Sequence, residues 1–281
     1  MSTAVQKKEK TGPGNVLVID VGNTNITFGV FQGDYILASF RMVSGELRTS
    51  DEYGVLLRQM LAENNVDYRN IKGVIMASVV PKLVHSMTNA IIKYINCVPF
   101  VVGPGIKSGI SIKSENPKEI GPDLIVDCAA SYEIYGGPVL SIDFGTATTY
   151  ILVNEKGELI AGAIAPGIRI SAKALWEDTA KLPEIEIKKP DTIMGRDTVS
   201  TMQAGLIYGQ IGQSKYIINE FKRQSGMADM KVVATGGLGR LISDEVSEID
   251  VYDPLLTLKG LRIIYEKNRR KHPTAKLTET E

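Results

Sequence analysis

The chain has 281 residues, of which 43% are hydrophobic and 23% are charged, and its 32 basic residues balance its 32 acidic residues. This length is typical of two domains with sizeable cores, and the absence of net charge argues against a binder of nucleic acid or anionic membranes. The sequence also lacks an apolar run of about 18 residues, which a membrane span requires. We therefore expect neither nucleic acid nor a membrane among its partners.

The two ends and the cysteines indicate where the protein works. Residues 1–15 are polar and lack the apolar core of a signal peptide, so we expect a disordered leader there and a short disordered tail over 272–281. Cys97 and Cys128 lie in apolar runs and form no CxxC pair. Buried free thiols are typical of a reducing compartment, and the sequence therefore predicts a cytoplasmic protein.

The first half of the chain alternates strands and helices. The segment 16–43 predicts three antiparallel strands, and Thr49 with the acids after it predicts the start of a helix. A buried strand "GVIMASVV", a helix that begins at Pro81 and a strand "PFVV" follow. The last helix of this half closes at Gly136.

The opening pattern then returns. "VLSIDFG" from position 139 repeats "VLVIDVG" from position 16, so that Asp143 corresponds to Asp20 and Gly145 to Gly22. An in-phase repeat of this kind predicts two copies of one unit, with domains over 16–137 and 138–271. Helices over about 170–182 and 199–226, a strand ending in "ATGG" and a C-terminal helix complete the second copy.

The two glycine turns are candidates for phosphate binding. A glycine bend between strands presents backbone N–H groups on one side, where they can bind an anion. Hydroxyl and amide groups flank both bends, at Asn23, Thr24, Asn25 and Thr27 and again at Thr146, Thr148 and Thr149. The aspartate beside each bend can hold a cation or a metal-bound water that neutralises phosphate. The alternative for either turn alone is an ordinary hairpin.

A third glycine cluster follows a strand at Gly236 and Gly237, where close approach of a ring or ribose is possible. The chain contains no GxxxxGK[ST] loop. The sequence therefore predicts two turns that clamp a nucleotide triphosphate and its Mg²⁺ from opposite sides of an interdomain cleft.

These motifs resemble a known family. "DVGNTN", "DFGTATT" and "ATGG" are similar to the two phosphate motifs and the adenosine motif of the acetate-kinase, sugar-kinase, Hsp70 and actin superfamily. "TSDEYG", "ASVVP", "VVGPG", "MQAG" and "DPLLTLKGLRIIYE" resemble one branch of it, the type III pantothenate kinases, and together the motifs cover the chain from Val16 to about Asn268.

The resemblance implies an α/β protein of two ribonuclease-H-like (actin-like ATPase) domains, each a mixed five-stranded sheet with helices, with a cleft between them. It implies ATP-dependent phosphorylation of pantothenate to 4'-phosphopantothenate, the first step of coenzyme A biosynthesis. It also implies a homodimer, Mg²⁺, and a monovalent cation, K⁺ or NH₄⁺.

Site residues follow from the same resemblance. The ATP-binding residues would be Asp20, Gly22, Asn23, Thr24, Asn25, Ile26, Thr27, Thr146, Gly236 and Gly237. Asp143 would hold the monovalent cation, and Asp20 would hold Mg²⁺ through water. Asp123 would be the general base that takes the proton of the acceptor hydroxyl, a role suited to a carboxylate. The acceptor would contact Gly121, Pro122, Asp123, Leu124, Thr198 and Ser114.

The acceptor residues depart from the family pattern. Leu124 stands where the family has an arginine after the aspartate, and Ser114 stands where it has a tyrosine. Loss of a guanidinium that pairs with a carboxylate removes a contact worth about 1.5–3 kcal/mol. Asp127, one helical turn after Asp123, adds an acid, and Arg169 is a candidate substitute for the missing arginine.

Three alternatives therefore stay open. The structural alternative for Asp123 is the N-cap of a helix that begins near Leu124. A kinase of the same fold can act on a different small hydroxy acceptor. A non-catalytic nucleotide-binding regulatory paralogue is the third alternative.

Overall fold

The structure is a computed structural model that describes residues 14–45 and 47–269. The predicted leader and tail lie outside these residues, except for Gly14 and Asn15, and Asn15 opens the first strand. The described residues divide into two compact units, 14–101 and 102–269. No helix in this part of the chain is long and apolar enough to cross a membrane.

The first unit is built on a mixed five-stranded sheet with the order β3-β2-β1-β4-β5. Its strands are β1 Asn15–Val21, β2 Asn25–Gln32, β3 Tyr35–Val43, β4 Ile71–Ser78 and β5 Phe100–Val101. The predicted antiparallel run β1–β2–β3 is confirmed, and β4 and β5 add to it in parallel. Both faces of β1 are buried, which explains its unbroken apolar sequence.

Two helices of the first unit pack against this core, α1 Ser50–Glu63 and α2 Pro81–Ile95. The predicted start of α1 is confirmed: Thr49 accepts a hydrogen bond from the Glu52 N–H, and the Glu52 carboxylate accepts one from the Thr49 N–H. This capping box satisfies two backbone donors that the first turn leaves without helical partners.

The second unit repeats the topology. Its sheet has the order β11-β10-β7-β8-β9-β6, and the run β9-β8-β7-β10-β11 matches the five strands of the first unit. The strands are β6 Ser111–Ile112, β7 Val139–Phe144, β8 Ala147–Val153, β9 Glu158–Pro166, β10 Lys231–Thr235 and β11 Val251–Tyr252. The expectation of five strands in this sheet is wrong, because Ser111 and Ile112 pair in parallel with β9 as a sixth.

Five α-helices belong to the second unit: α3 Pro122–Tyr135, α4 Ile168–Glu177, α5 Thr198–Ser225, α6 Gly239–Ser243 and α7 Leu256–Arg269. The α4 helix ends at Glu177, earlier than the predicted position 182. A stretch without regular secondary structure joins α4 to α5, where the Asp197 side chain accepts from the Ser200 N–H and caps α5.

The units do not divide at the predicted boundary near Gly137. Residues 102–137, including α3, belong to the second unit. The reason is the close packing of α3 against α7: Gly260 lies against the Val126 carbonyl, and a carbon placed on Gly260 would lie 2.8 Å from Val126 Cγ1. The Ser131 hydroxyl of α3 also donates to Ser141 of β7 over 3.0 Å.

Candidate active site

The first candidate turn closes β1 onto β2 at the carboxyl end of β1. The Gly22 N–H donates to the Asn25 carbonyl over 3.0 Å, and Asn23, Thr24 and Asn25 are exposed. Asp20 lies two residues before the bend, opposite Thr27 in the register. Ile26 is fully buried in the core, so it can reach a ligand only through its backbone. The turn therefore presents polar donors on one exposed side and an acid at its base.

The second candidate turn closes β7 onto β8 in the same way as the first, with one residue fewer between the paired aspartate and threonine. Asp143 pairs with Thr149 in the register, as Asp20 does with Thr27, and the bend contains Gly145 and Thr146. Thr146 is exposed and can contact a ligand, whereas Thr148 is 1% exposed. The suggestion that Thr148 donates to a phosphate stays a prediction, since its hydroxyl is buried and has no hydrogen-bond partner among the described residues.

Two glycines enclose the Asp143 carboxylate. A carbon placed on Gly145 would lie 2.8 Å from Asp143 Oδ2, and one placed on Gly236 would lie 2.5 Å from Asp143 Oδ1. Gly236 has a backbone φ of +97°, a left-handed conformation that favours glycine. The second turn and the "ATGG" turn thus meet at this one carboxylate, a relationship that the sequence repeat does not reveal.

Asp123 lies in the first turn of α3. The helix begins at Pro122 and its N-cap is Gly121, so the alternative that Asp123 is the N-cap is wrong. Proline is favoured at this first helical position because its missing N–H is not needed there. Asp123 Oδ1 accepts from the Leu124 N–H over 2.9 Å, and it also lies where a side chain on Gly121 would be. Gly121 therefore allows the carboxylate to fold back over the helix start.

The two acids affect each other. Burial raises the pKa of Asp123, an effect that its hydrogen bond from the Leu124 N–H opposes. Burial and then the negative charge of Asp123 raise the pKa of Asp143 to about 7. The same helix carries Asp127, which is 4% exposed. Burial raises the pKa of the neighbouring Cys128 thiol, and the negative charges of Asp127 and Asp123 raise that pKa further. The second unit therefore concentrates negative charge around the start of α3.

This charge fits a bound cation. Asp143 offers a hard carboxylate oxygen in a partly buried site, the donor chemistry that alkali and alkaline-earth cations prefer. Among the described residues, no three His, Cys, Asp or Glu side chains form a metal-binding group. A single carboxylate fits a cation of low charge better than a divalent ion held by protein ligands alone. At Asp20, likewise, a divalent ion fits if the nucleotide supplies most of its oxygen ligands.

The predicted acceptor residues lie in three places. Gly121, Pro122, Asp123 and Leu124 share the start of α3, and Leu124 packs partly buried against an apolar cluster of the second unit. Ser114 follows β6, and its hydroxyl accepts from the Asn116 N–H over 3.4 Å. Thr198 is exposed at the start of α5.

Thr198 lines a groove of about 900 Å³ between α4 and α5. Its walls are apolar at Leu175, Leu182, Met202 and Leu206, and Arg196 lies at its edge. Within the described part of the chain, this groove does not include Asp123, Leu124 or Ser114.

Both cysteines are free and buried, which confirms that prediction. No sequence motif points to Tyr252, whose hydroxyl donates to the Gly236 carbonyl over 2.9 Å. A tyrosine in a short strand carries no local signal for such a contact, because the two residues are 16 positions apart.

Comparison with known proteins identifies the family. The family model for type III pantothenate kinase matches residues 16–220. A type III pantothenate kinase of Agathobacter rectalis is 61% identical over 256 residues, covering 91% of this chain and 98% of the relative. One of Geobacillus thermodenitrificans is 47% identical, again over 256 residues, which are 91% of this chain and 99% of the relative.

Solved structures show the same fold at low identity. A Campylobacter jejuni protein described as a Baf family transcriptional activator has a TM-score of 0.57 at 19% identity, covering 90% of this chain and 99% of that chain. A Sinorhizobium meliloti protein described as a 2-dehydro-3-deoxygalactonokinase has a TM-score of 0.55 at 11% identity, covering 95% and 100%. Both units have the ribonuclease-H-like strand order. Because the family model matches most of the chain and two relatives are 61% and 47% identical to it, the chain belongs to the type III pantothenate kinase family.

Proposed function

We propose that the chain phosphorylates pantothenate with ATP, giving 4'-phosphopantothenate for coenzyme A biosynthesis. Membership of the type III pantothenate kinase family supports the reaction. The observation that carries the chemistry is Asp123, a partly buried carboxylate at the start of α3 whose pKa burial raises. Such a group is a stronger base than an exposed aspartate, and it lies on a helix that α7 holds in place.

Asp123 acts as the general base in this proposal. Its carboxylate accepts the proton of the primary hydroxyl of the acceptor while the hydroxyl oxygen attacks the terminal phosphorus and the bond to ADP breaks. The hydrogen bond from the Leu124 N–H occupies Oδ1 and orients the carboxylate, which leaves Oδ2 for the proton. Phosphoryl transfer needs mainly positioning and charge neutralisation, and an oriented base contributes to the positioning of the attacking hydroxyl.

The ATP phosphates bind at the glycine turns. The exposed amide and hydroxyl groups of Asn23, Thr24 and Asn25 donate to phosphate oxygens, as does Thr146. Gly236 and Gly237 let the adenosine part approach the backbone. Mg²⁺, bound with the nucleotide and held through water by Asp20, neutralises phosphate charge. Asp143 holds K⁺ or NH₄⁺, which compensates the charge that Asp143 and Asp123 share.

Leu124 and Ser114 depart from the family pattern, so a second function is also a candidate. Leu124 contributes an apolar surface where the family pattern has a guanidinium, so a carboxylate acceptor must find its cation elsewhere. Arg169 is exposed in the first turn of α4 and is a candidate for that contact. If no cationic side chain binds the acceptor, a kinase for another small hydroxy compound is favoured. The charged acids at Asp123 and Asp143 argue against a purely regulatory role.

A homodimer is part of the proposal. In the second unit, apolar side chains are exposed along neighbouring elements: Ile164 of β9 at 71%, Ile170 of α4 at 44% and Tyr216 of α5 at 69%. Exposed apolar groups on several elements are typical of a protein interface. An Ile164→Asp variant should shift the molar mass measured by light scattering from a dimer to a monomer, and an unchanged mass would place the interface elsewhere.

The experiment that tests the function compares acceptors. ADP formation by the purified full chain is measured with Mg²⁺-ATP in K⁺ buffer, with pantothenate, with other small hydroxy acids, and with no acceptor. Stimulation by pantothenate above all the other acceptors supports the proposal. Stimulation by another hydroxy acid alone would replace pantothenate, and nucleotide binding without any turnover would favour the regulatory alternative.

A further inference from the structure

The glycine turn after β10 rests on a tyrosine of β11. The Tyr252 hydroxyl donates to the Gly236 carbonyl over 2.9 Å. The ring of the same residue lies against Gly239, where an added carbon would be 2.6 Å from Cε2, and the Arg240 guanidinium lies 5.6 Å from the ring centroid. One side chain therefore contacts both ends of the turn from Gly236 to Gly239.

Gly236 is also the residue of this turn that contacts the Asp143 carboxylate. An added carbon on Gly236 would lie 2.5 Å from Asp143 Oδ1 and 2.6 Å from the Phe144 backbone. The residue is thus fixed on one side by the Tyr252 hydroxyl and in contact with Asp143 on the other. Any shift of the Gly236 backbone changes the surroundings of that carboxylate.

Tyr252 lies on a rigid support. It pairs with Ala234 in the parallel register of β10 and β11. The next residue, Asp253, is 4% exposed, its N–H donates to the Ala234 carbonyl over 2.8 Å, and its carboxylate accepts from the Tyr135 hydroxyl and the Lys259 ammonium over 2.8 and 2.6 Å. These bonds tie β11, and with it the backbone of Tyr252, to β10, α3 and α7.

We propose that Tyr252 is a positioning residue that couples nucleotide binding to monovalent-cation binding through the Gly236 carbonyl. The inference rests on the proposed roles of the Gly236–Gly237 turn and of Asp143. Because one turn contacts both the nucleotide and the cation-binding carboxylate, fixing it for one ligand prepares it for the other. Coupling of this kind is reciprocal, so the cation tightens nucleotide binding by the same factor as the nucleotide tightens cation binding.

The test is a binding experiment on Tyr252→Phe, which removes the hydroxyl and keeps the ring. The dissociation constant of a non-hydrolysable ATP analogue with Mg²⁺ is measured by calorimetry in K⁺ buffer and in choline buffer of equal ionic strength. Tyr132→Phe is the matched control, since it removes a hydroxyl that donates to the Glu155 carbonyl, away from the turn.

In the wild type and in Tyr132→Phe, K⁺ should tighten nucleotide binding several-fold. In Tyr252→Phe, this K⁺ effect should shrink, and the dissociation constant in K⁺ should rise about threefold to tenfold, the range for one hydrogen bond. The affinity for pantothenate should stay within about twofold, because none of the proposed acceptor residues lies in this turn, whereas a merely structural defect would weaken the binding of both ligands.

Three results would overturn the inference: a K⁺ effect in Tyr252→Phe equal to that of the wild type, no K⁺ effect in the wild type, or equal losses of nucleotide and pantothenate affinity. The binding data do not depend on turnover. A chain that shows the coupling but does not phosphorylate pantothenate would therefore refute the proposed reaction and leave the role of Tyr252 standing.

Discussion

Asp123 and Asp143 are electrostatically linked: the negative charge of Asp123 adds to burial in raising the pKa of Asp143 to about 7. When both carboxylates are ionised in this partly buried site, their mutual repulsion destabilises the folded state. The proposed monovalent cation relieves this repulsion. The arrangement therefore predicts that stability depends on both pH and cation.

The first prediction concerns the free energy of unfolding in buffer without K⁺, NH₄⁺ or Mg²⁺. The pKa of Asp143 is raised from 3.8 in the unfolded chain to about 7 in the folded one, so the folded state holds an extra proton between these values. Stability contributed by this proton is present at low pH and is lost as the pH rises from about 4 to about 7. The full shift corresponds to at most about 4 kcal/mol.

Denaturant titrations at pH 4 and pH 8 measure this loss, and Asp143→Asn isolates the contribution of Asp143. The variant should lose less stability between the two pH values than the wild type. Addition of K⁺ at pH 8 should stabilise the wild type and have little effect on the variant. Equal pH dependence in both proteins would show that Asp143 is not the titrating group.

The second prediction concerns Leu124→Arg, which restores the arginine of the family pattern. A guanidinium that pairs with the carboxylate of pantothenate should lower KM for pantothenate about tenfold or more and leave KM for ATP unchanged. Steady-state kinetics with Leu124→Met as the control for changed side-chain shape measures this. An unchanged or higher KM for pantothenate would mean that the carboxylate is bound elsewhere, and Arg169→Ala then tests the exposed cation of α4.

The third prediction concerns the packing of α3 on α7. Gly260→Ala places a carbon against the Val126 carbonyl and 3.1 Å from the Ala130 Cβ, so it should lower the free energy of unfolding by about 1–3 kcal/mol. The matched control is Gly212→Ala in α5, where nothing lies within 4 Å of the added carbon. That variant should be stabilised by about 0.5–1 kcal/mol, because alanine favours a helix more than glycine does.

Chemical denaturation measures both glycine variants, and opposite signs are the expected result. Because α3 carries Asp123, a shifted α3 in Gly260→Ala should also lower kcat. A stable Gly260→Ala variant would show that the helices can separate at no cost, and the account of why α3 belongs to the second unit would then fail.

Periodicity and the repeated Asp-x-Gly pattern predicted most of the fold. The apolar runs of β1 and β7 are buried strands. The repeat predicted that Asp20 and Asp143 are equivalent, and in the structure each pairs with a threonine in the register. These features are local, so a single segment of sequence carries them. The alternative with Asp123 as the N-cap would start α3 two residues too late, whereas Pro122 at the first helical position explains the observed start.

The remaining features depend on contacts between distant segments. The sixth strand of the second sheet is two residues long and forms only by pairing with β9. The boundary between the units depends on Gly260 of α7, far in sequence from the α3 residues that it contacts. The enclosure of the Asp143 carboxylate by Gly145 and Gly236 likewise requires two separate turns to meet, and no pattern in either turn predicts it.

The most direct test of the proposed reaction follows the phosphoryl group itself. Full-length protein is mixed with ATP labelled at the γ-phosphate, Mg²⁺, K⁺ and pantothenate, and labelled phosphopantothenate is measured in the wild type and in Asp123→Asn. Asp67→Asn is the matched control, since Asp67 pairs with Arg69 at the surface of the first unit. We expect labelled product in the wild type and the control and a loss of at least about a hundredfold in Asp123→Asn. Product formation at the wild-type rate by Asp123→Asn would contradict this expectation.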